Sequence, residues 1–272
     1  MRKYLVGMIA GLVGAVALSS AASAEVTSLS IGSQWTPAKQ DKKKRGPAKS
    51  YFETNEAHAG DLLGQPGCLG GDDPACYAYP PAVQSLITFP KDVAIDPGNL
   101  PDCSLGSLIG KSTAAARAAC PRSIVGGGNS VGKNLEGQTL NGVVTAFNGA
   151  PTGGNPSLYL HLDIAGVATK PILNGVVRGN TLLLQTRPVA GIVSEHFDTT
   201  LNPVITRKKE NKKTGKVKKT FLISIRCSKS RTWTTTETIT YQNEKTLTDG
   251  VSQKCKQKKK RGPTVRSLAG RG

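Results

Sequence analysis

Residues 158–164 read Leu-Tyr-Leu-His-Leu-Asp-Ile, with an apolar residue at every second position. In an extended chain successive side chains point to opposite faces. Leu158, Leu160, Leu162 and Ile164 therefore make one apolar face, and Tyr159, His161 and Asp163 a polar one. The same period returns where Phe221, Ile223, Ile225 and Cys227 alternate with Leu222, Ser224 and Arg226. It returns again where Trp233, Thr235, Glu237, Ile239 and Tyr241 mark a long late strand. Glycine turns separate such segments: Asn148-Gly149 and Gly153-Gly154 lie between 143–148 and 157–164, and Arg178-Gly179-Asn180 between 171–177 and 181–187. Further strands are expected at 26–31, at 48–54, at 85–95 with a break at Pro90, and at 197–201. About ten short strands at regular spacing predict a mostly β chain, an antiparallel immunoglobulin-like β-sandwich. One short helical segment interrupts it at 104–120. There Leu105, Leu108 and Ile109 share a face, 113–120 is alanine-rich, and Pro121 stops the helix.

The N-terminus carries an export pattern. Arg2 and Lys3 precede an uncharged, largely apolar run over 4–18, and Ala22-Ser23-Ala24 fits the small-residue cleavage rule. Residues 1–24 are thus expected to be a cleavable signal peptide, and the mature chain a secreted, extracellular protein in contact with the cell envelope. No other stretch approaches 18 apolar residues, so no transmembrane segment is expected after cleavage. All six cysteines follow the signal: Cys68, Cys76, Cys103, Cys120, Cys227 and Cys255. An even number in an oxidising compartment reads as a disulfide framework. Pairing of sequence neighbours is expected, each bridge stabilising by about 2–4 kcal/mol. No C-x-x-C pair is present, which argues against zinc. Residues 25–256 are read as one domain with basic loops at 39–49 and 207–219, and 257–272 as a disordered basic tail.

Phe89-Pro90-Lys91, Leu100-Pro101-Asp102-Cys103, the run from Ala119-Cys120-Pro121 to Gly126-Gly127-Gly128, and Thr145-Ala146-Phe147-Asn148-Gly149 occur in that order, before a late cysteine pair around an aromatic strand. Over roughly residues 26–256 this pattern resembles a group of secreted actinobacterial proteins of uncharacterised function. The resemblance implies an exported β-sandwich and carries over no catalytic residue. The basic insert at 207–219 sets the chain apart from that pattern.

Charge is the most unusual feature. The chain has 36 Lys and Arg against 18 Asp and Glu, and loss of Arg2 and Lys3 with the signal leaves a net charge of +16. The excess sits in three runs, and Lys-Lys-Lys-Arg-Gly-Pro occurs at both 42–47 and 258–263. Lys42, Lys43, Lys44, Arg45, Lys208, Lys209, Lys212, Lys213, Lys258, Lys259, Lys260 and Arg261 are the residues expected to contact an anionic envelope polymer or lipid surface. The competing reading is solvated loops that keep the protein soluble. Specific nucleic-acid binding is not expected, because no stacking aromatics interleave with the basic runs.

No catalytic, cofactor or metal site is nominated. Gly127 to Asn134 nearly fits a phosphate-binding loop, but Asn134 stands where Ser or Thr is required, so a glycine turn is expected. His161 and Asp163 are read as a solvated strand face, and Ser194-Glu195-His196 as neighbours pointing opposite ways. Asp72 and Asp73 lack a calcium-loop pattern. The functional reading is a non-enzymatic exported protein held electrostatically at the envelope. The alternative is an extracytoplasmic hydrolase with a site not visible in sequence, which two carboxyls converging in a concave pocket would favour.

Overall fold

The computed structural model describes residues 25–59, 80–97, 100–134, 136–186, 192–209 and 217–258. Strand β1 is Glu25–Thr36, β2 Lys39–Gln40, β3 Gly46–Pro47 and β4 Lys49–Ala59. Strands β5 (Ala82–Thr88) and β6 (Val93–Ile95) flank the break at Pro90. Helix α1 (Thr113–Ala119) precedes β7 (Ile124–Asn134), β8 (Thr139–Thr152) and β9 (Asn155–Ile164). Then come β10 (Ile172–Arg178), β11 (Thr181–Gln185) and β12 (Ile192–Leu201). The chain continues through β13 (Ile205–Lys209), β14 (Val217–Phe221) and β15 (Ile223–Ile225), and then β16 (Thr232–Tyr241), β17 (Thr246–Lys254) and β18 (Lys256–Gln257).

The mostly β, antiparallel character expected from the alternation is what the chain adopts, but the two facing sheets of an immunoglobulin-like sandwich are not what is seen. One eleven-stranded sheet runs β1-β4-β12-β7-β8-β9-β10-β11-β5-β16-β17 and wraps into a nearly closed barrel. The reason lies in strand length and in bulges. β1, β4, β7 and β8 have 12, 11, 11 and 14 residues. Register shifts interrupt the ladders at Val26/Ser28, Ile124/Gly126, Ser194/His196 and Thr240/Tyr241. Long strands that bend at bulges coil into a barrel instead of splitting into two flat layers. The glycine-rich segment is part of this curvature. It is strand β7, not the turn expected, and a Cβ on Gly128 would lie 2.1 Å from the Asp198 carbonyl oxygen of β12.

Every neighbouring pair in the large sheet is antiparallel, so with eleven strands the two edges, β1 and β17, run parallel. Side chains bridge this seam. The Ile31 N–H donates to the Asp249 carboxylate at 2.9 Å. The Trp35 N–H donates to Gln253 Oε1 at 2.7 Å, and Gln253 Nε2 donates back to the Trp35 carbonyl at 3.1 Å. Beyond the strand ends β2 and β18 pair in parallel, and the Lys256 N–H reaches the Ala38 carbonyl at 2.8 Å.

The apolar faces point inward. Trp35, Phe89, Val125, Ala146, Leu158, Val177, Leu182, Leu201 and Trp233 pack the end of the barrel where β1 and β17 finish. The outer face of the late pair is polar: Thr234 and Thr238 bond across the strands to Ser252 and Thr248. A bilayer-spanning barrel needs the opposite alternation, apolar outward. Among the described residues no helix is long and apolar enough to cross a membrane.

The segment expected to be helical over 104–120 is split. A 3-10 turn at Leu105–Ser107 and helix α1 are separated by Gly110, whose φ of 69° breaks the helical path. Leu108 is buried while Leu105 and Ile109 are exposed, so the three do not share a buried face. The Cys103–Cys120 disulfide closes this segment into a flap. The flap packs outside the barrel in a small second core with Leu108, Ala116, Phe147 and Tyr159. Cys227–Cys255 is the second bridge, again between sequence neighbours, whereas Cys68 and Cys76 lie outside the described residues.

The seam leads to a test. Gln253→Ala removes both partners of the Trp35 backbone and leaves its part-buried N–H and C=O unpaired. The loss should be about 1–3 kcal/mol, or about 2–10 °C in Tm. An unchanged Tm by calorimetry would mean that these side-chain bridges do not hold the barrel closed.

Candidate functional site

Above the packed half, the barrel interior is a cavity of about 190 Å³, counted as space open to the centre of a water-sized sphere. An apolar cavity of about 150 Å³ on a similar measure takes up benzene. Here the walls are Phe52 of β4, Leu140 of β8, Leu162 and Ile164 of β9, Leu184 of β11, Phe197 of β12 and Ile239 of β16. Each follows from the alternation that turns one face of its strand inward. Pro80, Pro81, Pro171, Thr186 and Ile192 line the cavity at the strand ends on the side away from the packed core.

Two carboxyls enter this apolar space. β16 turns its odd residues inward, which puts Glu237 between Thr235 and Ile239, 3% exposed. Its Oε1 accepts from the Ser85 hydroxyl at 2.6 Å and its Oε2 from the Thr54 hydroxyl at 2.8 Å. β4 turns Phe52, Thr54, Glu56 and His58 toward the cavity. Glu56 Oε2 accepts from the Tyr241 hydroxyl at 2.9 Å. Burial pushes the Glu56 carboxyl up to about 7, against the Tyr241 hydrogen bond that lowers it, and Glu237 adds a smaller upward push. Burial likewise raises Glu237, opposed by the hydroxyls of Ser85 and Thr54. His58 sits toward the rim, where its Nε2–H donates to the Ser194 carbonyl at 2.7 Å. Burial holds this imidazole below its ordinary value, so it is neutral in the tautomer that makes that bond. Among the described lining residues there is no lysine or arginine.

The residues singled out in sequence lie elsewhere. His161 and Asp163 are not on a solvated face, because the disulfide-closed flap covers it. His161 is fully buried with Nε2 donating to the Lys111 carbonyl at 2.8 Å. Asp163 takes the Thr113 N–H at 2.8 Å and the Lys170 ammonium at 2.6 Å. Lys133, the lysine of the near phosphate-loop motif, pairs with Glu195 at 2.6 Å. His196 bonds Asn55 and Asp198 outside the barrel, away from Ser194 in the cavity lining. Among the described residues no cluster of three His, Cys, Asp or Glu could hold a metal. Asp72 and Asp73 lie outside the described residues.

The described parts of the basic runs lie at the packed end, opposite the cavity. Lys42, Lys43, Lys44 and Arg45 form an exposed turn after β2, built on Asp41, whose Oδ1 takes the Lys43 and Lys44 N–H groups at 2.7 and 2.9 Å. Those two bonds, with Lys44 and Lys258 nearby, hold the Asp41 carboxyl below its ordinary value. Lys258 follows β18, and its N–H reaches the Gln40 carbonyl at 2.8 Å. The β13–β14 hairpin, whose backbone carries Lys208 and Lys209, leads into β15, which pairs with β3 beside the same turn. The expected loop at 207–219 is thus partly strand. Lys212, Lys213, Lys259, Lys260 and Arg261 lie outside the described residues, as do residues 1–24. Comparison with protein-family models, curated proteins and solved structures finds no match to this chain.

The raised Glu56 carboxyl has a signed consequence. Its folded value of about 7 lies above the unfolded 4.5. Its contribution to stability is therefore complete below about pH 4.5 and is lost as pH rises through about 7, by up to about 3 kcal/mol. Thermal unfolding followed from about pH 5 to about pH 8 should show falling Tm. Glu56→Gln, which keeps an acceptor for Tyr241, should flatten that slope. A slope equal in both proteins would place the titration on another group.

Proposed function

We propose that this protein binds a small, largely apolar molecule inside its barrel. The observation that carries the reading is the cavity itself: an apolar lumen with a few convergent polar groups at one side, which is the usual form of a small-molecule site. The strands that build it are rigid and their inward residues are fixed by the pleat, so the space does not depend on a loop closing over it.

The two carboxyls are also what a hydrolase would require. They serve that use poorly here. Glu237 has both oxygens engaged by Ser85 and Thr54, and burial favours the protonated form of both acids. Neither is then an ionised group ready to attack or to activate water. Binding accounts for the lumen better than cleavage does.

A second reading stands beside the first. The export pattern and the charge support a secreted protein held at the cell envelope by its basic end. What favours it is that the basic turn 42–45, the base of the β13–β14 hairpin and Lys258 lie at one end of the barrel, while Lys133, Lys170 and Lys245 elsewhere each have a carboxylate partner. The interaction of exposed charges decays over about 8 Å at physiological salt, so clustered charges act together where scattered ones would not.

Each reading has its own measurement. Titration with 1-octanol should raise Tm, by about 2.7 kcal/mol of stabilisation at a hundred-fold excess over Kd. Leu140→Trp, which fills the cavity, should remove the shift without changing the circular dichroism spectrum. No shift at any soluble concentration would remove the binding reading. For the basic end, co-sedimentation with anionic vesicles should fall steeply as salt rises. Retention at about 1 M salt, where the screening length is about 3 Å, would rule out an electrostatic hold.

A further inference from the structure

The lumen has a chemical polarity of its own. Its polar groups are two carboxyls, the hydroxyls that donate to them, and a neutral imidazole at the rim. No cationic side chain of the described lining faces either acid. Each carboxylate offers about four lone-pair sites. The hydrogen bonds described above take one at each Glu237 oxygen and one at Glu56 Oε2. Acceptor capacity is therefore left over in a space otherwise walled by Phe52, Leu162, Leu184, Phe197 and Ile239.

Buried carboxyls without a cation are tolerated only while protonated or when a partner arrives. An anionic head group entering the same space would meet two acids and no donor of positive charge. A neutral hydroxyl would gain one ordinary hydrogen bond. An ammonium would gain charge-assisted bonds in a medium of low dielectric, where such bonds are strongest.

Resting on the lumen reading above, we propose that the ligand is a cationic amphiphile, an alkyl or aryl amine whose ammonium reaches Glu56 and Glu237 while its apolar body lies against the Phe52 and Leu162 side of the cavity. The cavity size suits a molecule of about ten heavy atoms, since a slightly smaller void already holds a six-carbon ring.

Proton linkage follows from the geometry. The groups facing Glu56 are Tyr241 and Glu237 from β16, with His58 beside it on β4, while β1 contributes only Val26 and β5 only Ala82 and Ser85. A bound ammonium needs at least one ionised carboxyl, so an acid held protonated must give up its proton before the pair forms. Affinity for the amine should therefore rise with pH through the range in which Glu56 titrates, and level off above it.

The test compares three probes with one tail, octylammonium, 1-octanol and octanoate, on the whole protein by calorimetry. At about pH 8 octylammonium should bind at least about ten-fold tighter than octanol, with octanoate weakest. At about pH 5 that advantage should shrink to within about three-fold, a comparison that needs no variant. Glu56→Gln should give the same loss of preference for octylammonium over octanol at about pH 8. If octanol binds and octylammonium has no advantage, or octanoate binds as well, the cationic ligand is wrong and the lumen reading survives. If none of the three binds, both fall.

Discussion

An antiparallel sheet of eleven strands cannot close on itself with an antiparallel ladder, because its two edges point the same way. That constraint governs the rest of this structure. β1 and β17 meet in parallel, and they are joined along their length by Asp249 and Gln253 instead of by a continuous backbone ladder. Side chains as the bridging groups let the edges sit slightly apart, so curvature needs no perfect register. Only past the strand ends do β2 and β18 form true backbone pairs. The Cys227–Cys255 bridge lies at this same end and ties the chain just before β16 to the chain just after β17. Closure is thus weakest along the strands and strongest at the packed end.

The asymmetry explains where the empty space falls. Both tryptophans lie at the closed end: Trp35 and Phe89 meet edge to face with centroids 5.7 Å apart, and Trp233 donates its indole N–H to the Arg226 carbonyl. Toward the other end short or polar residues, Ser85, Ser130, Gly132 and Thr54, take inward positions between the larger apolar walls. A barrel of this width cannot be filled by such side chains, and a cavity remains. The same positions admit Glu56 and Glu237, because hydroxyls from neighbouring strands reach them.

Much of the strand content was legible in the sequence, because period-two alternation is a local property. Leu158 to Ile164, Trp233 to Tyr241 and the Gly179 turn all form as the pattern indicates. Two of the neighbouring cysteine pairs are present for the same reason of proximity. What was not legible is how strands far apart in sequence are ordered. A sandwich and a barrel use the same alternating strands, and only bulges and β1–β17 contact separate them. The site shared this fate. Glu237 stood among inward residues Trp233, Thr235, Ile239 and Tyr241, which was a signal that it is buried. Its partner Glu56 sits 181 positions earlier, and nothing local links the two. The polar face of β9 misled for a related reason: its covering is a flap supplied by residues 103–120.

The two ends of the barrel hold opposite electrostatic arrangements, and this follows from chain direction. Strands β1, β12 and β17 all finish at the packed end, so the described parts of the basic runs that follow them begin there: the turn after β2, the base of the β13–β14 hairpin, and Lys258 after β18. The cavity end receives the connections after β4, β7, β9, β11 and β16, where lysines are matched with acids as in Lys245 with Glu25 and Lys133 with Glu195. Inside, the carboxyls face apolar walls and no basic side chain among the described residues. A cation approaching the basic turn at the packed end would be repelled, whereas the cavity holds two carboxyls and, among its described lining, no lysine or arginine. If the basic end rests on an anionic surface, the cavity faces away from it, toward solvent. Binding inside the barrel and attachment outside it, as proposed, would then be independent, since no described charge is shared between them.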